Sequence, residues 1–208
     1  IHQLVEGGPS ERRRYLDWGV FHVEHEYLAS WRRYRRVLSQ RNAALKRRAS
    51  AAELRPWTEA LVASGGAVDE ARRRYVALIG PRARDCAERL LGRSLTLAYR
   101  SGWHEGVPLA DALAVAEARD RTLGTTEVGP HRADLLLELD GRRVENEASR
   151  GQQKLAAAAL VLAQVAAGAE AGAERNVLLV DDPAAELDSA ALARLLTLLS
   201  ETPAQLVL

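Results

Sequence analysis

The sequence predicts an α/β domain joined to a mainly helical lobe, and three observations predict it. Over residues 24–53 side chains of one kind recur every three to four positions, the period of an amphipathic helix. Asp134-Leu135-Leu136-Leu137-Glu138-Leu139, Asp140-Gly141 and Arg142-Arg143-Val144 form a hairpin pattern around an Asp-Gly turn signal. Finally, the polar loop Ser149-Arg150-Gly151-Gln152-Gln153-Lys154 opens into an Ala/Leu-rich helix. It is followed by the apolar strand Val177-Leu178-Leu179-Val180, which ends in Asp181-Asp182-Pro183. Strand–helix alternation in this last part implies a mixed sheet with parallel members.

Taken in order, residues 1–8 read as the tail of a strand closed by Gly7-Gly8-Pro9-Ser10, with Ser10 capping a short helix from Arg12 to Phe21. Tyr27/Leu28, Trp31, Tyr34, Leu38, Asn42 and Leu45 then mark one long helix over 24–53 with a seam near coiled-coil spacing. Pro56 lies in or between further helices. Gly65-Gly66 is expected to break the pattern, which resumes over 68–91, and Pro81 to kink or restart it. Ser94-Leu95-Thr96-Leu97-Ala98-Tyr99 alternates as a strand, and residues 108–123 form a helix. After the hairpin come a helix to about residue 167, a linker over 168–174, the strand 177–180, a helix over 189–200 and a strand from Gln205. The helical lobe is expected to give way to the α/β part near Gly124.

Composition narrows the class. The chain has 208 residues, 47% of them hydrophobic, enough for an ordinary core. It begins Ile1-His2-Gln3-Leu4, contains no methionine and stops at the apolar Gln205-Leu206-Val207-Leu208, which reads as an internal stretch of a larger protein. One cysteine, Cys86, excludes a disulfide framework and points to a reducing, cytoplasmic setting. No apolar run approaches the roughly 20 residues that span a bilayer. Net charge is +1, but residues 10–50 carry Arg12, Arg13, Arg14, Arg32, Arg33, Arg35, Arg36, Arg41, Lys46, Arg47 and Arg48 against Glu11, Asp17, Glu24 and Glu26. Such a segment can neutralise several nucleic-acid phosphates, though a basic helix is also an ordinary solvated face.

The chemistry-bearing residues lie late in the chain. Asp181 and Asp182 follow an apolar strand, where open α/β sheets place their ligands. One carboxylate there can hold Mg²⁺, which keeps most of its water, and its neighbour can polarise an attacking water. Asp-Asp-Pro is equally what a turn leaving a buried strand looks like. The Ser149 loop offers a hydroxyl, a glycine and backbone N–H groups at a helix N-terminus, a phosphate-binding arrangement that is also a plain N-cap. No G-x-x-x-x-G-K-[ST] loop occurs, so the usual ATP cradle lies outside this sequence. His131 could contact phosphate or DNA but reads more readily as a structural side chain where a strand begins, His22 reads as structural, and Trp31 and Tyr34 read as core rather than base-stacking.

Together these strings resemble a known group. Ser149-Arg150-Gly151-Gln152-Gln153 resembles the signature loop of ABC-type ATPases, residues 177–182 their Walker B strand, and Glu186-Leu187-Asp188 their D-loop. The closer resemblance is to the RecF family, related to SMC and Rad50 heads. It rests on Gly7-Gly8-Pro9-Ser10-Glu11-Arg12-Arg13-Arg14, Leu16-Asp17-Trp18-Gly19-Val20-Phe21-His22 and Gln40-Arg41-Asn42-Ala43-Ala44-Leu45. Leu54-Arg55-Pro56-Trp57, Gly129-Pro130-His131-Arg132-Ala133-Asp134-Leu135 and the Ser149 loop complete it.

That resemblance implies the C-terminal half of an ABC/SMC-type ATPase head with an inserted helical lobe. Residues 1–22 would end the N-terminal half, 23–123 form the lobe and 124–208 the C-terminal half. It implies ATP and Mg²⁺ as cofactors, single-stranded or gapped DNA, an ATP-dependent homodimer and RecO- and RecR-type mediators that help load a recombinase in replication, repair and the SOS response. It implies no membrane. Ser149, Arg150, Gly151 and Gln152 would touch a γ-phosphate held by the partner copy, Asp181 the metal, Asp182 would serve as general base, and Asp188 would reach across the interface. Arg12, Arg13, Arg32, Arg33 and Arg36 are the candidate DNA contacts. Most ABC ATPases carry Glu where Asp182 stands, and the shorter side chain fits slow, switch-like hydrolysis. The whole protein is expected to be a weak DNA-dependent ATPase, and this stretch alone to be inactive. A non-catalytic helical docking module is the competing reading. Transporter ATPases fit less well, since they lack the basic helical arm and the Gly-Pro-His-Arg strand entry.

Overall fold

The structure, a computed structural model, describes residues 3–172, 176–184 and 187–207. Its elements run α1 (Gln3–Glu6), α2 (Pro9–Val23), α3 (Tyr27–Lys46), α4 (Ala51–Leu91), β1 (Leu95–Arg100), α5 (Leu109–Leu123), β2 (Asp134–Leu139), β3 (Arg142–Arg143), α6 (Val144–Glu147), α7 (Arg150–Glu170), β4 (Val177–Leu179), α8 (Ser189–Glu201) and β5 (Gln205–Val207). A 3₁₀ turn, Pro130–Arg132, precedes β2. Among the described residues no helix is long and apolar enough to cross a membrane.

The chain divides into two compact units. One comprises Ile1–Val23, Arg74–Ala98 and Leu135–Leu208, the other Glu24–Arg73 and Tyr99–Asp134. The division differs from the sequence-predicted boundary at Gly124, because residues 74–98 belong with the first unit and the second runs on to Asp134. Sequence order could not reveal this, since α4 itself passes from one unit to the other.

The first unit is built on α7. Ala156, Ala157, Ala159, Leu160 and Ala163 are each 0% exposed, so the helix is enclosed along its middle. Gly19 of α2 gives room to the side chains of Tyr75 and Gln164. A Cβ at Gly19 would stand 2.1 Å from the Tyr75 hydroxyl and 2.4 Å from Gln164 Nε2. Polar groups in this crossing are paired: Tyr15 Oη donates to the Leu160 carbonyl at 2.8 Å, and Gln164 Nε2 donates to the Tyr15 carbonyl and to Tyr75 Oη. Burial pushes the Tyr75 hydroxyl up to about 12, so it stays protonated.

β2 lies between β1 and β3, and it turns into β3 through Asp140 (φ 50°) and Gly141 (φ 79°), the two left-handed residues of the tight hairpin that Asp-Gly predicts. Arg93 Nε donates to Asp140 Oδ2 at 2.7 Å and the Ser94 amide to Oδ1 at 3.0 Å, which together hold the Asp140 carboxyl below the usual carboxylate range. β4 and β5 pair in parallel, with Leu178 opposite Leu206.

The second unit is centred on a buried ion pair. Arg41 Nη1 donates to Asp120 Oδ2 and to Thr126 Oγ1, each at 2.7 Å, and Nε donates to Thr58 Oγ1 at 3.1 Å. Both charged side chains are 0% exposed. The other Asp120 oxygen accepts the Glu127 amide, and Asn42 Oδ1 accepts the Thr126 amide and hydroxyl, so α3, α5 and the segment after α5 share one network.

Five sequence expectations are corrected. Residues 3–6 form a helical turn, not a strand tail, and Gly7 closes it where a Cβ would meet the Gln3 carbonyl at 2.1 Å. α2 starts at Pro9, whose fixed φ suits a first helical turn, so Ser10 lies inside the helix. The helix over 24–53 is interrupted at 47–50, where Arg48 takes φ 58° and Ser50 and Glu53 form a capping box. The Ser50 amide holds the Glu53 carboxyl low, so this cap is present above the ordinary carboxylate range and lost as pH falls. Gly65-Gly66, Pro56 and Pro81 do not break α4, which runs unbroken for 41 residues. Gly65 instead serves close packing, for a Cβ there would meet Leu109 Cδ2 at 2.8 Å and Tyr34 Cε2 at 3.2 Å. Tertiary contact overrides local propensity. α7 also extends to Glu170, beyond the expected end near 167.

Asp120→Leu strands a buried guanidinium and should lower stability by about 3–5 kcal/mol in urea unfolding of the intact protein. Arg41→Met with Asp120→Leu should recover most of that loss. A single variant as stable as wild type would refute the role given to this pair.

Candidate nucleotide and metal site

Ser149 sits at φ −64°, ψ 161° as the N-cap of α7. Its Oγ accepts the Gln152 amide at 3.3 Å, while Gln152 Oε1 accepts the Ser149 amide at 2.9 Å. The structure therefore makes Ser149–Gln152 a capping box, the plain reading of this loop, and it leaves the Ser149 hydroxyl hydrogen available to a second acceptor. Ser149 and Arg150 are exposed, and Gly151 and Gln152 are half-buried. Gln153 is buried and donates to the Val144 and Ala148 carbonyls at 3.3 Å, fastening α7 to α6. It is a structural residue.

β4 delivers Asp181 and Asp182 at its C-terminal end. Both are exposed, and among the described residues neither carboxylate has a hydrogen-bond or ion-pair partner. Asp182 takes φ 43°, a left-handed conformation uncommon for a side-chain-bearing residue, just before Pro183. Lys154, one turn into α7, donates from Nζ to the Asp182 carbonyl at 3.0 Å. Lys154, Asp181 and Asp182 line the rim of a cleft of about 390 Å³ whose floor is Ala158, Leu178 and Leu195. The structure thus brings the start of α7 and the carboxylate pair to one side of the first unit. Sequence reasoning assigned Lys154 no task, because its contact is 28 residues away in the chain.

No group of three or more His, Cys, Asp or Glu among the described residues is arranged to hold a metal. The donor set here is the pair alone, which suits Mg²⁺ because that ion takes one or two carboxylates and fills its octahedron with water and phosphate oxygens. Asp188 caps α8, its Oδ1 accepting the Ala191 amide at 2.7 Å, so one of its oxygens is committed within its own chain. Glu186, the first residue of the D-loop string, lies outside the described residues.

The candidate DNA contacts separate. Arg12 is 4% exposed, donates to the Gly7 carbonyl at 2.7 Å and lies 3.5 Å from Glu145, so it belongs to the core and is withdrawn from the phosphate-binding set. Arg41 is likewise removed from the basic surface by its pair with Asp120. Arg13 is half-buried, whereas Arg32, Arg33 and Arg36 are exposed on α3, which contains no acidic residue. Arg35 stacks over Trp31 at 5.0 Å from the ring centroid. Tyr34 is buried, its hydroxyl bonded to His131 Nδ1 at 2.7 Å, and His131 Nε2 donates to the Thr126 carbonyl at 2.8 Å. Both ring nitrogens are occupied, which fits the structural role read for His131. His22 Nδ1 donates to the Trp18 carbonyl and its ring stacks between Trp18 and Phe21, yet those two aromatics are 49% and 42% exposed.

With this geometry in hand, comparison with known proteins is specific. No family model matches the chain. The DNA replication and repair protein RecF of Thioalkalivibrio sulfidiphilus (strain HL-EbGR7) is 47% identical over 189 residues, which is 90% of this chain and 52% of that protein. That of Stenotrophomonas maltophilia (strain R551-3) is 43% identical over 211 residues, 99% of this chain and 57% of the relative. Among solved structures, the recombination mediator protein RecF with ATP in the RecFOR pathway superposes with a TM-score of 0.87 at 26% identity, covering 99% of this chain and 58% of its own. The fold is that of the RecF ATPase head and its helical lobe over the matched stretch. The chain is thus similar to RecF proteins throughout the stretch it spans, and that stretch is a little over half the length of the curated relatives it matches.

Proposed function

We propose that this chain is part of an ATP-gated DNA-binding protein of recombinational repair. In this reading the whole protein is a recombination mediator. It binds single-stranded or gapped DNA, works with RecO- and RecR-type partners to load a recombinase in replication, repair and the SOS response, and hydrolyses ATP slowly as an ATP-bridged homodimer. The observation that carries the reading is the pairing, in one compact unit, of a helix N-terminus with two partnerless carboxylates at the end of a parallel strand. It is supported by relatives named for DNA replication and repair and by neighbours described with ATP or an ATP analogue. A lone, half-buried cysteine fits a cytoplasmic setting.

Within that reading the residues divide the work. Mg²⁺ and ATP, when bound, supply the charged phosphoryl group and its electrophilic centre. Asp181 is the metal-holding carboxylate, exposed and uncommitted at the strand end. Asp182 accepts the proton of a water directed at the γ-phosphate. The Ser149 hydroxyl hydrogen and the positive end of α7 face a phosphate held by the second copy, with Arg150 and Gln152 beside it. Asp188 keeps one oxygen for its cap and offers the other across the interface. The acid-free exposed face of α3, with Arg32, Arg33 and Arg36, is the DNA surface this reading favours, with Arg13 at most a peripheral contact.

Three measurements on the intact protein test it. Ser149→Asp keeps a good N-cap but sets a negative charge against phosphate, and Ser149→Arg removes the cap. Both should still bind ATP yet lose ATP-dependent dimerisation and retention on gapped DNA. If Ser149→Asp behaves as wild type, Ser149 is a cap only. Arg33→Glu with Arg36→Glu should weaken DNA binding and reduce the slope of log affinity against log salt by about two; unchanged affinity moves the DNA site elsewhere. Asp182→Glu should raise ATP turnover several-fold, since the longer carboxylate reaches the water better. Equal turnover would sever slow hydrolysis from the short side chain.

A further inference from the structure

Lys154 is one of only two lysines in the chain, and its ammonium reaches the Asp182 carbonyl at 3.0 Å across a sequence separation of 28 residues. It stands five residues after the Ser149 cap on a rigid helix, a rise of about 7.5 Å from the helix mouth. The residue it grips has an unusual backbone, φ 43°, in a turn with few other ties: Val180 is held by its amide to the Val207 carbonyl, but neither carboxylate that follows has a partner among the described residues. Lys154 therefore bridges the mouth of α7 to the turn that aims the carboxylates.

Resting on the nucleotide reading above, we infer that Lys154 is a positioning residue that transmits occupancy of the Ser149 loop to Asp181 and Asp182. An anion seated at the N-terminus of α7 draws on the helix as a unit, because a continuous, mostly buried helix transmits a shift along its axis rather than bending. Lys154 moves with the helix and its hydrogen bond carries the Asp182 carbonyl along. The charge-assisted bond also holds the left-handed turn in one arrangement. An ammonium bound to the backbone carbonyl fixes the turn while both carboxylates stay exposed to a cation and a water. Methionine at this position retains the aliphatic stem and loses the donor, whereas arginine keeps a donor of similar reach.

The experiment is amide hydrogen exchange on the intact protein with and without a non-hydrolysed ATP analogue, for wild type, Lys154→Met and Lys154→Arg, alongside analogue affinity and ATP turnover. In wild type the analogue is expected to slow exchange at both 149–153 and 180–184. Lys154→Met should keep the first protection and lose the second, with affinity within about twofold and turnover down about tenfold, and Lys154→Arg should restore most of both. Protection of 180–184 that survives in Lys154→Met overturns the coupling while leaving the nucleotide reading in place. Equal loss of affinity and turnover in Lys154→Met reduces the residue to general support of the fold and also overturns it. No analogue-dependent protection at either segment of the wild type removes the nucleotide reading itself, and the coupling with it.

Discussion

The enclosure of α7 is the constraint on which the first unit depends. A helix buried along most of its middle must satisfy any polar group there internally, as Gln164 does with Tyr15 and Tyr75, and the absence of a side chain at Gly19 leaves room for that contact. The N-terminal end is where this helix meets solvent with its polar residues. Ser149 and Arg150 emerge into solvent there, the capping box satisfies the first amides, and Gln153 anchors the turn to α6 from below. A leucine-rich version of the same helix would fill the space but hold α2 away, and the bond from Tyr15 to the Leu160 carbonyl would stretch with it.

In the second unit a single charged pair has the corresponding part. Arg41 and Asp120 are wholly buried, and such pairs are weak sources of stability compared with apolar packing. Their consequence is geometric. Every donor and acceptor they use fixes a neighbour: Thr58 on α4, Thr126 and Glu127 after α5, with Asn42 closing the ring. The segment held this way leads directly to His131, whose ring bridges Tyr34 and Thr126. Specific placement of a loop is what a polar core can supply and an oily one cannot.

What the sequence disclosed, and what it concealed, follows from the range of each interaction. The Asp140-Gly141 hairpin, the strands and the cap of α7 are set by residues within a few positions of one another, and they were legible. The interruption at 47–50 was missed, because the apolar period over 24–53 outweighed the capping-box spacing of Ser50 and Glu53. Gly65 could not be read as a helix interior, because its reason is Tyr34 and Leu109, distant in sequence. Arg12 and Arg41 show the same limit for charge: composition counts a guanidinium but says nothing of whether a carboxylate waits for it in the core. At the candidate site the loop and the strand end were each visible, while the lysine joining them depends on a contact across 28 residues.

The carboxylate pair itself is best understood by what it lacks. Adjacent acids that merely ended a strand would be expected to find cations, as Asp140 does with Arg93 or Asp69 with Arg73. Lys154 instead donates to a backbone carbonyl of the turn, and both carboxylates stand exposed at the strand end. Mutual repulsion between adjacent carboxylates is tolerated cheaply in water and relieved strongly by a divalent cation. In the proposed reading, the left-handed turn at Asp182, tied to a neighbouring helix and carrying two exposed carboxylates, is where a divalent ion and a phosphate would be received.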